Sequence, residues 1–265
     1  MLYVATVHFR SPRWIEIQTR HLREHIRVPY EVWTSLEGID PSWGEHFDRV
    51  LVQRGLHAAK LNHLALEIGH VAEPDDLLMF LDGDAFPIAD PMPLIEDGLA
   101  RAPLLAIRRA ENADEPQPHP SFCVTTVGAW RRLCGDWCAG YTWASPRGTP
   151  TSDVGGNLLR RLEVEGEEWV QVLRSNSHAL DPLHFGIYGG AIYHHGAGFR
   201  TGETSPAHRA LAPTPLQGPR LVTQLVNGVR WRRWERATQR THLRQSEEIY
   251  ARISAGDEAW LADLR

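Results

Sequence analysis

Residues 78–87 read LMFLDGDAFP. With Leu77, five apolar residues in a row lead straight into Asp82-Gly83-Asp84. A run this apolar suits a strand covered on both faces of a sheet, so it predicts the central strand of a layered α/β fold. Ligands of open α/β sheets bind beyond the carboxyl ends of the strands, where these two aspartates stand. Residues i and i+2 of an extended segment point to one side, so both carboxylates can face one cation. Hard oxygen ligands suit Mg²⁺ or Mn²⁺, which keep open positions for phosphate oxygens. Gly83 removes side-chain bulk and lets backbone approach a ligand. The plainer alternative is an Asp-Gly turn that only closes a strand. The position directly after the apolar run favours the metal site.

Outward from that strand, elements alternate. Residues 2–9, 30–35 and 48–53 predict strands, and 12–27 predicts a helix with Ser11 as N-cap and Pro12 next. Residues 57–72 repeat Leu61, Leu64, Ala65 and Ile68 at helical spacing. Further strands are expected at 103–109, 121–127 and 190–195, and helices at 129–138 and 153–166, the latter with Asp153 as N-cap. Strand–helix alternation predicts βαβ units and a mostly parallel sheet flanked by helices. The domain expected to carry the chemistry spans 1–218, and 219–265 is a helical C-terminal extension. Residues 110–120 and 142–152 are loops long enough to be functional.

Composition excludes several classes. A net charge of -5 gives no global field for nucleic acid. No apolar stretch is long enough to span a membrane. No basic, apolar and cleavage segments stand in order at the start, so the cytoplasm is the expected compartment. The three cysteines form no disulfide framework. Of the 28 basic Lys and Arg residues a single one is lysine, Lys60, which suggests a task arginine cannot perform.

Two further stretches bear on chemistry. IYHHGAGFR (192–200) ends a short strand in two histidines and enters a glycine-rich turn. Imidazole is a ligand for Mn²⁺ as for Zn²⁺, the glycines would let backbone pass near a diphosphate, and Arg200 could pair with its oxygens. HLREH (21–25) fits H-x-x-E-H, a zinc-peptidase pattern. No third ligand can be placed for a peptidase, so a solvated helix face among Arg20, Arg23 and Arg27 is the preferred reading.

The ordered set of an N-terminal strand, KLN (60–62), DGD (82–84) and HHGAG (194–198) resembles the GT-A glycosyltransferases, within them the glycogenin and lipopolysaccharide-sugar-transferase group. The resemblance spans about residues 1–200. It implies the Rossmann-like GT-A fold, a nucleotide-sugar donor and Mn²⁺, with Mg²⁺ as substitute. It places Asp82, Asp84 and His195 on the metal, His195 rather than His194 because Gly198 then falls at the family's spacing. Lys60 would reach a phosphate or sugar oxygen. Thr6, His8 and Phe9 would line the nucleotide pocket, with Gly83, Gly198 and Arg200 beside the diphosphate. Asp153 would contact sugar or acceptor and serve as general base in an inverting enzyme. The chain departs from the family at HPSFCVTT (119–126), which replaces an Asn-x-Gly stretch, and at Val154, which replaces a Gln.

A sugar nucleotidyltransferase, or a nucleotide-sugar-binding protein without turnover, are the alternatives. HFRSPRW (8–14) lacks the glycine expected of the former. Residues 219–244 hold seven arginines and one acid beside Leu225, Val229 and Trp231–Trp234. That composition suits peripheral contact with an anionic membrane face and a lipid-linked acceptor, or tryptophans packed on the domain. A homo-oligomer is compatible with either.

Overall fold

The computed structural model describes residues 1–112, 114–144, 150–176, 184–196, 212–218, 220–257 and 259–265. In chain order the elements are β1 (Leu2–Phe9), α1 (Ile15–His25), β2 (Tyr30–Glu37), β3 (Arg49–Leu51), α2 (His57–Val71), β4 (Leu77–Asp82), β5 (Ala85–Pro87) and α3 (Met92–Leu99). Then follow β6 (Leu104–Ile107), β7 (His119–Thr126), α4 (Val127–Arg132), β8 (Trp143–Ala144), β9 (Pro150–Thr151), α5 (Gly156–Glu165), β10 (Val170–Val172), β11 (Gly186–Tyr188) and β12 (Ile192–His194). A long helix, Arg220–Ser254, and a short one, Ala259–Leu264, end the chain.

The main sheet has the order β10-β6-β7-β4-β1-β2-β3. Every pairing is parallel except those made by β7. This is the mostly parallel α/β sheet expected from the sequence. Alternation along β4 covers both of its faces. Leu78 and Phe80 pack with Leu61, Leu64 and Trp130 of α2 and α4. Met79 and Leu81 pack with Leu22 and Ile95 of α1 and α3. Because β7 runs against β4, with Leu77 opposite Thr126 and Leu81 opposite Phe122, its first residue His119 lies at the carboxyl end of β4.

A small antiparallel sheet, β11-β12-β5, continues from the aspartate turn. Its side chains Phe86, Ile187 and Tyr193 form a third core cluster with Trp14, Phe185, Ile253, Trp260 and Leu264. The end of the long helix is therefore part of the core. Its earlier turns expose Leu225 and Val229. Among the described residues no helix is long and apolar enough to cross a membrane.

Three local expectations are corrected. The first helix starts at Ile15, since Arg13 and Trp14 form a turn closed by the Ile15 amide donating to the Pro12 carbonyl. The helix expected over 129–138 ends at Arg132, because Cys134 adopts φ 48° and Gly135 packs under Trp130. The N-cap of α5 is Gly155, not Asp153.

Candidate functional site

The turn that carries Asp82 and Asp84 is fixed from α1. Gln18 is fully buried, and its amide donates to the carbonyls of Asp82 (2.8 Å) and Ala85 (2.7 Å). Its Oε1 accepts from the Thr6 hydroxyl and pairs with His8 Nε2, both at 3.1 Å. Burial pushes His8 down to about 4, so its ring is neutral near pH 7 and donates from Nε2. A Cβ on Gly83 would lie 2.6 Å from the Val7 carbonyl and 2.8 Å from His8 Nδ1. The absent side chain therefore lets the turn sit on β1, a different reason from the ligand clearance expected of it. Thr6 and His8, expected to line a nucleotide pocket, instead turn inward as supports of the turn. Phe9 stays half-buried at the edge, between the Arg10 guanidinium (4.7 Å) and the Lys60 ammonium (4.8 Å).

The imidazole beside the aspartates belongs to His194. Strand β12 pairs antiparallel with β5 and sets His194 opposite Ala85. His194 Nε2 lies 3.4 Å from Asp84 Oδ1 and 3.7 Å from Asp82 Oδ2. One ligand atom from each of the three residues falls within 4.8 Å of the others. Asp82 Oδ1 is held at 2.9 Å by His57 Nε2 in the first turn of α2. Burial works against a proton on His194, but the Asp84 and Asp82 carboxylates outweigh it and raise its pKa. His119 stands behind, its ring 6.0 Å from that of His194 and kept neutral by burial.

His195 faces the other way, as alternation requires. Its ring lies 4.4 Å from that of Trp14, its Nδ1 bonds to the Tyr193 hydroxyl (2.9 Å), and its Nε2 bonds to Ser246 Oγ (2.7 Å). Burial pushes it down to about 3. Both ring nitrogens are engaged in the third core cluster, so the expectation that His195 joins the aspartates is corrected to His194.

Lys60 is enclosed, at 2% exposure, one turn beyond His57 on α2. Its ammonium pairs with Glu37, the last residue of β2, and sits over the Phe9 ring. It ties α2 to the ends of β1 and β2 and is not presented to a ligand here, contrary to expectation. The larger, planar guanidinium would have to displace neighbours in this enclosure. Lys60→Arg is expected to cost about 1–3 kcal/mol by overpacking and to lower turnover with it. Equilibrium denaturation and a rate assay would check it, and a variant unchanged in both would show that lysine has no task here that arginine cannot perform.

Asp153 lies on the rim, 44% exposed. Arg109, just past β6, pairs with Glu115 at 2.7 Å and reaches Asp153 at 3.4 Å. Burial raises the Glu115 pKa despite Arg109. Gly155 (φ +87°) permits the approach to β7, since a Cβ there would lie 2.1 Å from the Pro118 carbonyl. Gly198 and Arg200 lie outside the described residues. Sequence reading missed Gln18, His57, His119 and Arg109. Only the long 110–120 loop signalled any of them.

Two carboxylates and one imidazole at the carboxyl edge of a parallel sheet form an oxygen-rich donor set that fits Mn²⁺ or Mg²⁺. No protein-family model and no curated protein matches the sequence. Among solved structures, the chain is similar to a mannosyltransferase from Pyrobaculum calidifontis in complex with GDP-Man and Mn²⁺, at 16% identity over 52% of this chain and 47% of that one, TM-score 0.39. It is also similar to the apo glycosyltransferase GlyE of Streptococcus pneumoniae, at 13% identity over 64% and 44%, TM-score 0.41. A third is the galactosyltransferase LgtC with donor and acceptor sugar analogs, at 10% identity over 65% and 73%, TM-score 0.38. The first two matches span about half the length of those chains.

Proposed function

We propose that this protein is a metal-dependent glycosyltransferase, a hexosyltransferase by class, moving a sugar from a nucleoside-diphosphate-sugar donor to an acceptor. The reading rests on one observation. Asp82, Asp84 and His194 converge beyond the carboxyl end of β4, a central strand covered on both faces. A bound Mn²⁺ or Mg²⁺ would neutralise charge developing on the leaving diphosphate.

The chain's own residues do the rest. Asp82, Asp84 and His194 hold the cation, His57 orients Asp82, and Gln18 fixes the turn. Lys60 acts as a positioning residue through Glu37 and Phe9. Asp153 is the proposed contact to sugar or acceptor, and the general base if the reaction inverts. Gly198 and Arg200 are the proposed diphosphate contacts, and the exposed turns before His242 the proposed approach for a lipid-linked acceptor at a membrane face.

The test is a thermal-shift screen of nucleotide sugars with and without Mn²⁺. A ligand at a hundred times its Kd stabilises by about 2.7 kcal/mol, and the shift is expected only when metal and nucleotide are both present. His194→Ala should weaken Mn²⁺ binding by at least about tenfold, since losing mere supporting partners already costs metal sites ~10–100-fold. His195→Ala should chiefly lower stability. His194 gives up its proton as the metal binds, so affinity should rise as pH rises through its raised pKa and fall below it. No joint shift with any nucleotide sugar would sink the reading, and binding without hydrolysis or transfer would favour a silent binding protein.

A further inference from the structure

The H-x-x-E-H pattern of α1 is not the solvated face expected from its arginines. His21 is buried, at 8% exposure, with its ring 4.4 Å from that of Phe86 in β5. The ring donates to the backbone carbonyl of Pro87. Nδ1 is the nitrogen left over, buried and without a hydrogen-bond partner. It lies 4.0 Å from a Glu24 carboxylate oxygen, and the His25 ring stacks at 5.7 Å. One ligand atom from each of His21, Glu24 and His25 falls within 4.8 Å of the others.

A buried polar atom left without a partner is unfavourable and calls for a reason. A metal ion supplies one. Metal-ligating histidines donate their other ring N–H to a carbonyl or carboxylate, which fixes tautomer and orientation, and Pro87 does this for His21. Burial, aided by Arg20 and His25, pushes His21 down to about 4, so its ring is neutral and its lone pair available at pH 7. Arg20 is drawn off to the Ile253 carbonyl. Glu24 brings the one negative charge of the set.

We propose that His21 Nδ1, Glu24 and His25 form a second metal site for a borderline transition ion of the Zn²⁺ class, with water completing the shell. Two imidazoles and one carboxylate favour Zn²⁺, Co²⁺, Ni²⁺ or Cu²⁺ over Mn²⁺, the opposite of the preference at Asp82 and Asp84. The site lies one turn from Gln18 and is anchored on the carbonyl of Pro87. Its ion braces α1 against the strand that leaves the aspartate turn.

Co²⁺ titration of the metal-free full-length protein tests this through the visible absorption of the bound ion. Wild type is expected to develop bands that Zn²⁺ removes by displacement. Asp84→Asn should keep them. His25→Ala and Glu24→Gln, at partly and largely exposed positions that leave folding intact, should each weaken Co²⁺ binding at least about tenfold. His21→Ala should abolish it, with circular dichroism reporting its fold. Absent bands in folded wild type overturn the proposal. So do bands unmoved by His25→Ala and Glu24→Gln, or bands lost in Asp84→Asn, which would assign all binding to the aspartate site.

Discussion

Asp84→Asn is expected to abolish Mn²⁺-dependent nucleotide-sugar binding and to cut turnover by at least ~10²–10³-fold, the scale of losing one preorganised electrostatic contact in a reaction centre. The amide keeps the size of the carboxylate and removes its charge. That charge is the largest influence raising the His194 pKa against its burial, so the imidazole would also lose the partner that orients it. Asp84 immediately precedes β5, and its backbone carbonyl still accepts from the His195 amide at 3.0 Å, so the turn should persist. Circular dichroism and the melting temperature without metal should match wild type. Two results would sink the metal reading. One is a variant that still binds nucleotide in a Mn²⁺-dependent way. The other is wild-type activity indifferent to EDTA.

Ending the chain after residue 218 is expected to abolish stable folding, not merely acceptor use. Ile253, Trp260 and Leu264 are each at most 4% exposed in the cluster beneath β5 and β12. Burying such side chains is worth roughly 1.5–3 kcal/mol each, and domains have only about 5–15 kcal/mol in hand. The cut also removes Ser246 from His195, and it takes Glu247 and Tyr250 from Arg13. Recovery in soluble form and chemical denaturation would measure this. A folded 1–218 fragment that still hydrolyses donor would show the tail to be an accessory. The exposed turns behave differently: Leu225→Ser with Val229→Ser should move stability by less than about 1 kcal/mol. Only transfer to a membrane-bound acceptor would then report on that face.

The legible parts of this protein are those whose signal lies within one element. The apolar run of β4 announced a strand buried on both sides, and its abrupt end announced the aspartates. The spacing of Leu61, Leu64 and Ile68 located α2 to within a residue. His194 and His195 show where such reading stops. Alternation said the two point apart, but which one faces Asp84 depends on how a three-residue strand pairs with β5, and no local pattern encodes that phase. Gln18 was invisible for a related reason. A polar residue in a helix reads as solvent-facing until the fold shows four polar partners around it. His119 entered only because β7 runs backwards, which no residue within it announces.

Gln18 also limits how the aspartate turn can change. Its two amide hydrogens go to Asp82 and Ala85, and its oxygen takes Thr6 and His8. That uses both donors and both lone pairs the side chain has. Glutamate there would turn an acceptor toward two carbonyls, and methionine would strand all four partners. The two aspartates are thus not a portable tripeptide. Grafted onto another sheet, Asp-Gly-Asp would keep its ligands and lose its aim unless the helical amide and the Thr-x-His of the neighbouring strand travelled with it. Over evolutionary time the same coupling means that these positions can drift only together.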